Sequence, residues 1–546
     1  MDISMLRKQL VRFRFVLLIT LFIFSVFLLC LDYSFLTTNT TRITYLVPAV
    51  RNNNPKQVEI EIGNTPSNFS TNFNEIIICC NTTYNQNSSV TDEAKNVSTI
   101  HDEGNRRKYI INSPPPLIQV NVDKVFTKLA PKKLDPCLGQ YIYVYDLPAR
   151  FNKDLLKGCD TLMKWENMCP HLSNLGLGTK IVEKSNKKVL SKKNWYATNQ
   201  FSLELIFHNT MKNYKCLTND SSLASAIYVP YYAGLDVGKY LWGGFNISIR
   251  DESPKELMKW LSQQPQWRKM SGKDHFMVGG RISYDFRRRS DDIEDWGTKL
   301  MFLPEASNMS ILLIESSGYE NEFPIPYPTY FHPKKDDEII KWQRKMRNKK
   351  RDYLFSFAGA PRPNSTSSIR NELIKQCESS KSCKLVGCYF GQNKKHCGDP
   401  VHVMDIFQNS VFCLQPPGDS FTRRSIFDSI LAGCIPVFFH PQSAYKQYLW
   451  HLPKKGSSYS VFIPEIDVKR KKVMINKTLL NVSKSEVLAM REEIIRIIPR
   501  ILYRYPNSRL ETLEDAFDVA VKGILGRIEA MRRKITNSYH AKVVAV

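Results

Sequence analysis

The chain has 546 residues, 42% of them hydrophobic and 11% aromatic, which is too long for one core and too apolar for general disorder, so two domains plus tails are expected. A formal net charge of +25 calls for an anionic partner. Lys and Arg are spread along the whole length and no module with nucleic-acid readout chemistry occurs, so nucleic acid is excluded as that partner.

Residues 1–14 are expected to form a cytosolic tail. Arg7, Lys8, Arg12 and Arg14 precede the apolar run Phe15–Leu31, which is interrupted only by Thr20 and Ser25 and followed by Asp32. The run is about long enough to cross a thin bilayer with its basic flank inside, and no small-x-small cleavage site follows Cys30. Residues 15–31 therefore read as an uncleaved transmembrane signal anchor, with the rest of the chain in a lumen. N-glycosylation sequons at Asn39, Asn68, Asn81, Asn87, Asn96, Asn219, Asn246, Asn308, Asn364, Asn476 and Asn481 agree with that side of the membrane. So do the cysteines, twelve of thirteen of which follow the anchor. Cys377, Cys383, Cys388 and Cys397 are close enough to form a local disulfide framework, and their spacings do not match a zinc site.

Residues 32–135 are expected to be a glycosylated stem. The stretch is rich in Asn, Thr and Ser, carries Pro114-Pro115-Pro116 and lacks sustained periodicity. Folded structure is expected over 136–345, with apolar strand runs at Tyr141–Tyr145, Ala226–Tyr232, His275–Val278 and Ile311–Ile314 and a helix over Thr198–Met211. A charged helix from Asp336 to Lys350 leads into a second α/β domain over 346–510. Its strands are expected at Tyr353–Phe357, Cys383–Val386, Val411–Leu414 and from Ile435, with a helix over Ile369–Cys377. Periodic segments Ser485–Arg504 and Leu513–Arg533 close the chain, residues 511–546 forming a C-terminal helix and tail. Strands alternating with helices imply two Rossmann-like halves facing a cleft.

The richest segment is Ser410–Phe439. It reads as a buried strand, a Pro416-Pro417-Gly418 turn, a helix opening near Asp419 or Ser420 and ending at Gly433, then a second strand. Arg423 and Arg424 stand in the expected first helical turn, where acids are ordinarily favoured, so the helix tip points to an anion. Asp428 lies one turn beyond Arg424 on the same face, either to contact a sugar hydroxyl or to hold Arg424. Arg362, after the first strand of this half, is a second phosphate candidate. Phosphates at the tip and a hydroxyl at a carboxylate describe a nucleotide sugar.

Several segments resemble the exostosin-type glycosyltransferases of family 47: Ile142-Tyr-Val-Tyr-Asp-Leu-Pro148, Tyr228-Val-Pro-Tyr-Tyr-Ala-Gly-Leu-Asp236, Gly272-Lys-Asp-His-Phe276, Ile325-Pro-Tyr-Pro-Thr-Tyr-Phe-His-Pro333, Phe357-Ala-Gly-Ala360 and Pro416-Pro-Gly-Asp419. Thr422-Arg-Arg-Ser-Ile-Phe-Asp-Ser-Ile-Leu-Ala-Gly-Cys-Ile-Pro436 resembles the plant xyloglucan galactosyltransferase branch of that family. The resemblance implies a GT-B fold, a type II Golgi membrane protein, and inverting β-1,2 transfer of galactose from UDP-galactose to xylosyl side chains of xyloglucan. Complexes with other Golgi transferases are a further expectation. One departure is that Ser425 stands where much of the wider family has an arginine. Alternatives left open are transfer of galacturonic acid or arabinose, a catalytically silent Golgi partner, and a polysaccharide-binding protein.

Inverting transfer needs a base for the acceptor hydroxyl and stabilisation of the leaving UDP. Gly418, Asp419, Ser420, Arg423, Arg424, Asp428 and Arg362 are the candidate donor-site residues. Asp236 and His275 are the candidate bases, with Asp274, Asp285 and Glu315 in reserve. No Asp-x-Asp motif flanked by an apolar strand is evident, and Asp291-Asp292 reads as a solvated surface, so no obligatory metal or other cofactor is expected. Tyr231, Tyr232, Tyr240, Trp242 and Trp296 are candidates for sugar stacking.

Overall fold

The computed structural model describes residues 135–544, apart from 165, 184–187, 363–364, 366–367 and 389–397. The expected tail, membrane anchor and stem lie outside the described residues, as do Asn364 and Cys397. Among the described residues no helix is long and apolar enough to cross a membrane.

The first half is built on six strands: β1 (Tyr141–Val144), β2 (Leu217–Thr218), β3 (Ala224–Tyr228), β4 (His275–Val278), β5 (Ser310–Leu313) and β6 (Glu322–Pro324). All pair in parallel, in the order β2-β1-β3-β4-β5-β6. Helices α1 (Leu203–Met211), α2 (Ala233–Tyr240) and α3 (Ile247–Gln263) connect them. A charged helix, α4 (Asp336–Asn348), leads to the second half, whose strands are β7 (Tyr353–Gly359), β8 (Cys383–Gly387), β9 (Ser410–Gln415), β10 (Ile435–Phe438) and β11 (Val461–Phe462). These too are parallel, in the order β11-β10-β9-β7-β8. Helices α5 (Arg370–Glu378), α6 (Pro400–Gln408), α7 (Arg424–Leu431) and α8 (Lys484–Arg496) accompany this sheet, and α9 (Ala516–Val544) ends the chain.

Counted within its own half, the second sheet runs 2-1-3-4-5, and the first repeats that order with a sixth strand added. In such a sheet the strand order reverses between the first and third strands, opening a crevice beyond their carboxyl ends where ligands bind. In the second half this crevice lies between the ends of β7 and β9. The turns that meet there are Ala360-Pro361-Arg362 and Pro416-Pro417-Gly418-Asp419.

Both expected Rossmann-like halves are present, and two local expectations need correction. The strand expected over Ala226–Tyr232 stops at Tyr228, just short of Pro230, which lacks a ladder donor. The helix expected to open at Asp419 or Ser420 opens at Arg424, with Arg423 in extended backbone as its N-cap. Residues 416–422 are instead a pinned loop. Arg370 Nε donates to the Pro417 carbonyl at 3.0 Å, and the Thr422 N–H donates to Glu315 Oε2 at 2.8 Å.

One apolar cluster runs through both halves, from Ile142 and Phe207 to Phe355, Phe412 and Ile435. At its centre Trp195 stacks on Phe331 at 5.0 Å and meets Trp342 at 4.9 Å, while Trp342 Nε1 donates to the Leu431 carbonyl at 2.8 Å. Burying an aromatic side chain of this kind contributes on the order of 1.5–3 kcal/mol. The C-terminal helix returns to the first half: Phe517 packs on Phe207 at 4.7 Å, Arg527 Nε donates to Ser310 Oγ at 3.0 Å, and Arg532 Nη2 donates to the Ala224 carbonyl at 3.3 Å. Disulfides join Cys137 to Cys216, Cys159 to Cys169, Cys377 to Cys383 and Cys413 to Cys434. The last ties β9 to the turn before β10 and so brackets α7. Cys377–Cys383 supplies part of the expected local framework.

Candidate active site

The carboxyl edges of the two sheets meet at the tip of α7. Glu315, two residues past the end of β5, accepts hydrogen bonds on Oε2 from both the N–H and the Oγ1 of Thr422. The Tyr327 hydroxyl shares Thr422 Oγ1 at 3.1 Å. Ser316 and Gln447 exchange two bonds at 2.9 Å, and the Tyr448 hydroxyl donates to the Ile314 carbonyl at 2.6 Å. These bonds tie the carboxyl ends of the two sheets together beside the crevice of the second half.

Four arginines converge on this point. Arg423 is largely buried, and its Nε and Nη2 have no hydrogen-bond partner. Burial lowers the pKa of its guanidinium, Asp419 and Tyr327 opposing the shift and Arg362 adding to it. A Cβ added at Gly418 would coincide with Arg423 Nη2, so the absence of a side chain there is what lets the guanidinium reach the crevice. Arg424 lies 3.6 Å over the Tyr330 ring, donates through Nη1 to the Thr198 carbonyl and approaches Asp428 Oδ2 at 3.5 Å, leaving Nη2 without a partner. Arg370 is 6% exposed; burial pulls it down to about 9, and its neighbours Arg423 and Arg362 push the same way. Arg362 donates from Nη2 to both oxygens of Asp419 at 2.8 and 2.9 Å. Asp419 itself is exposed, and the Ser420 carbonyl accepts the Gly418 N–H at 2.9 Å.

Asp428 is buried, and burial pushes its carboxyl up to about 6 against the pull of Arg424. Oδ2 faces Arg424 while Oδ1 has no partner. Of the two roles weighed for Asp428, the structure shows the one that holds Arg424. A buried donor or acceptor without a partner costs about 1–3 kcal/mol, more if charged, and here such atoms come from Arg423, Arg424 and Asp428, at the N-cap and in the first residues of α7. Added to the backbone N–H groups at the tip, they form a preorganised site for an anion with a hydroxyl-bearing neighbour.

The structure does not bring the two candidate bases to this tip. His275 opens β4 fully buried, with Nε2 on the Tyr145 hydroxyl at 3.0 Å, Nδ1 on Asp274 Oδ1 at 2.8 Å and Trp267 at 4.9 Å. Asp236 lies in α2, beyond the carboxyl end of β3, but is 3% exposed. Its Oδ2 accepts from the Tyr231 hydroxyl at 2.6 Å, and burial raises it to about 6. Among the reserve carboxylates, Asp285 is held by Trp296 Nε1 at 2.7 Å and Arg281 Nη1 at 3.4 Å. Glu315 is the carboxylate of the first half that touches the helix tip. Arg370, Thr422 and Tyr327 were not among the sequence candidates; a basic residue opening α5, where acids are favoured, was the available signal for Arg370.

Residues 136–480 match the exostosin GT47 domain. The chain is 53% identical over 428 residues to the xyloglucan galactosyltransferase MUR3 of Arabidopsis thaliana, the match covering 77% of this chain and 68% of that one. It is 43% identical to the xyloglucan galactosyltransferase XLT2 of the same plant, over 73% of this chain and 76% of that one. It is 42% identical to its xyloglucan-specific galacturonosyltransferase 1, over 73% and 58%. Among solved structures, the lipopolysaccharide-biosynthesis glycosyltransferase WaaG aligns at 10% identity with a TM-score of 0.28, covering 56% of this chain and 94% of that one; a likeness at that score carries no argument.

Proposed function

The chain belongs to the exostosin GT47 family, and from that premise we propose that it transfers galactose from UDP-galactose, with inversion, to xylosyl side chains of xyloglucan. The observation that carries the chemistry is the orphaned Arg423 guanidinium at the tip of α7, in the crevice of the second sheet. The diphosphate of the donor sits on Arg423, Arg424 and the helix tip, and Asp428 Oδ1 accepts from the ribose. Arg362 and Arg370 supply further positive charge. As the glycosidic bond breaks, charge develops on the β-phosphate and these groups meet it without a metal.

The acceptor hydroxyl must lose its proton as its oxygen attacks the anomeric carbon and UDP departs. We assign that proton to Glu315 in preference to Asp236 or His275, because Thr422 fixes its Oε2 at the donor tip while Oε1 has no hydrogen bond among the described residues. The protein is placed in the Golgi membrane through residues 15–31 with its catalytic halves lumenal, a reading supported by the apolar run and its basic flank.

Full-length protein incubated with UDP-sugars and xylosylated glucan oligosaccharides is expected to transfer galactose, and to do so undiminished in chelator. Transfer from UDP-galacturonic acid instead would change the sugar and keep the reaction; UDP binding with no transfer would make the chain a silent partner. The pH dependence is set by Asp428. Its carboxyl must be ionised to hold the ribose, so affinity for UDP-galactose, both of whose phosphates are diesters, is expected to rise from pH 5 to pH 7 through the value of about 6. Because that value lies above the ordinary 3.8, the stability contributed by the neutral form is full below pH 3.8 and is lost as the pH rises from there through about 6. Asp428→Asn is expected to flatten both profiles, measured by calorimetry and thermal melting.

A further inference from the structure

Trp242 is 42% exposed directly after α2, the helix that opens at the crevice of the first sheet. Gly243 and Gly244 both take positive φ, at 113° and 66°, so the chain reverses as soon as it has presented the indole. Phe245, 37% exposed, follows the turn. Trp296 meets Trp242 edge-on, 4.7 Å between ring centres and 81° between planes. The loop carrying Trp296 is rigid: Arg250 donates from Nη1 to the Asp295 carbonyl at 2.6 Å and from Nη2 to the Ile293 carbonyl at 2.8 Å. This is therefore a built apolar ledge on a fixed support.

A chain of hydrogen bonds links the ledge to the start of α2, beyond the carboxyl end of β3. Trp296 Nε1 donates to Asp285, Asp285 accepts from Arg281, and Arg281 Nε donates to the Gly234 carbonyl at 2.7 Å in the first turn of α2. Asp291, Asp292 and Glu294 are exposed on the same loop as Trp296, with Asp291 paired to Lys299 Nζ at 2.6 Å and to Arg288 Nη2 at 3.4 Å and the exposed Arg289 beside them, so the loop carries charges of both signs.

Resting on the transferase reading above, we infer that Trp242, Trp296 and Phe245 form a stacking platform for the neutral glucan backbone of the acceptor, distinct from the contacts that hold the reacting side chain. Flat sugar faces pack on aromatic rings, and several glucose units held there would let the enzyme favour long acceptors over short ones.

The test uses the full chain, with kinetics on polymeric xyloglucan and on a short xylosylated oligosaccharide, and fluorescence titration with unbranched cello-oligosaccharides in the absence of donor. Trp242→Ala is expected to raise KM for the polymer about tenfold, a loss of the size expected for one aromatic stack, and to weaken cello-oligosaccharide binding. The KM for UDP-galactose and kcat on the short acceptor should stay unchanged, and Trp242→Tyr should restore most of the loss. An unchanged KM for the polymer, in a wild type that transfers galactose, overturns the platform alone; absence of transfer by the wild type overturns the transferase reading. If Trp242→Ala is silent while Asn246→Gln causes aggregation, the ledge is cover for a glycan on Asn246 and the platform is likewise overturned.

Discussion

Glu315→Gln lowers kcat by about 10²–10⁴, the usual contribution of a positioned general base, while calorimetric binding of UDP is retained. The substitution is nearly isosteric, and the amide oxygen still accepts the Thr422 N–H that ties the halves together. Only the capacity to take a proton is removed. Were Glu315 merely a tie between β5 and the donor loop, the glutamine variant would keep most of its rate. The same measurement on Asp236→Asn and His275→Gln separates the candidates. His275 is enclosed by Tyr145, Asp274 and Trp267, so its replacement should lower stability and leave kcat per folded molecule unchanged. A collapse of kcat in Asp236→Asn alongside an active Glu315→Gln would move the base to α2.

Arg423→Met is expected to lower kcat/KM for UDP-galactose by about 10²–10³, comparable to removing one preorganised donor from a developing anion, and to abolish the rise in Tm that UDP produces in the parent. Methionine keeps the apolar stem but loses the guanidinium. In the absence of donor the variant should melt higher than the parent, because the parent carries a largely buried cation with two unpartnered nitrogens beside Arg362 and Arg370. Gly418→Ala should reproduce the functional loss, since its Cβ takes the space of Arg423 Nη2. Thermal melts with and without UDP, together with initial rates, decide the matter; a parent-like kcat/KM in Arg423→Met would remove Arg423 from the diphosphate site.

Both sheets were legible because buried parallel strands are unbroken apolar runs, and Tyr141–Val144, His275–Val278 and Tyr353–Gly359 stand out on that ground. Strands β2, β6 and β11 are two or three residues long and carry no periodicity to detect. Helix α3 was hidden by Pro254 within it and by its charged face. The donor side of the site was readable because Gly418, Arg423, Arg424 and Asp428 are local in sequence and joined by turn and helix geometry. The start of that helix was misplaced because Asp419 and Ser420 are good N-cap residue types, whereas the loop is held by Glu315, 107 positions before the Thr422 it binds. Arg370 carried only the signal of a basic residue opening a helix, while Glu315 acquires its position from tertiary contacts, so no local pattern distinguishes it from an ordinary loop acid. The same holds for the link from Trp296 through Asp285 to Arg281.

The return of α9 to the first half has a consequence for how the protein is made. Phe207, Ser310 and Ala224 receive their partners from residues 517–532, so the domain translated first is completed by the segment translated last. At 5–20 residues per second the ribosome needs roughly 10–40 s to travel from the end of the first sheet to that helix. During that interval the underside of the first domain stays uncovered, and the second domain, complete except for this strap, can close before it. The waiting domain is therefore the one that needs chaperone protection, and a frameshift near the C-terminus would damage the half of the enzyme that lies nearest the N-terminus.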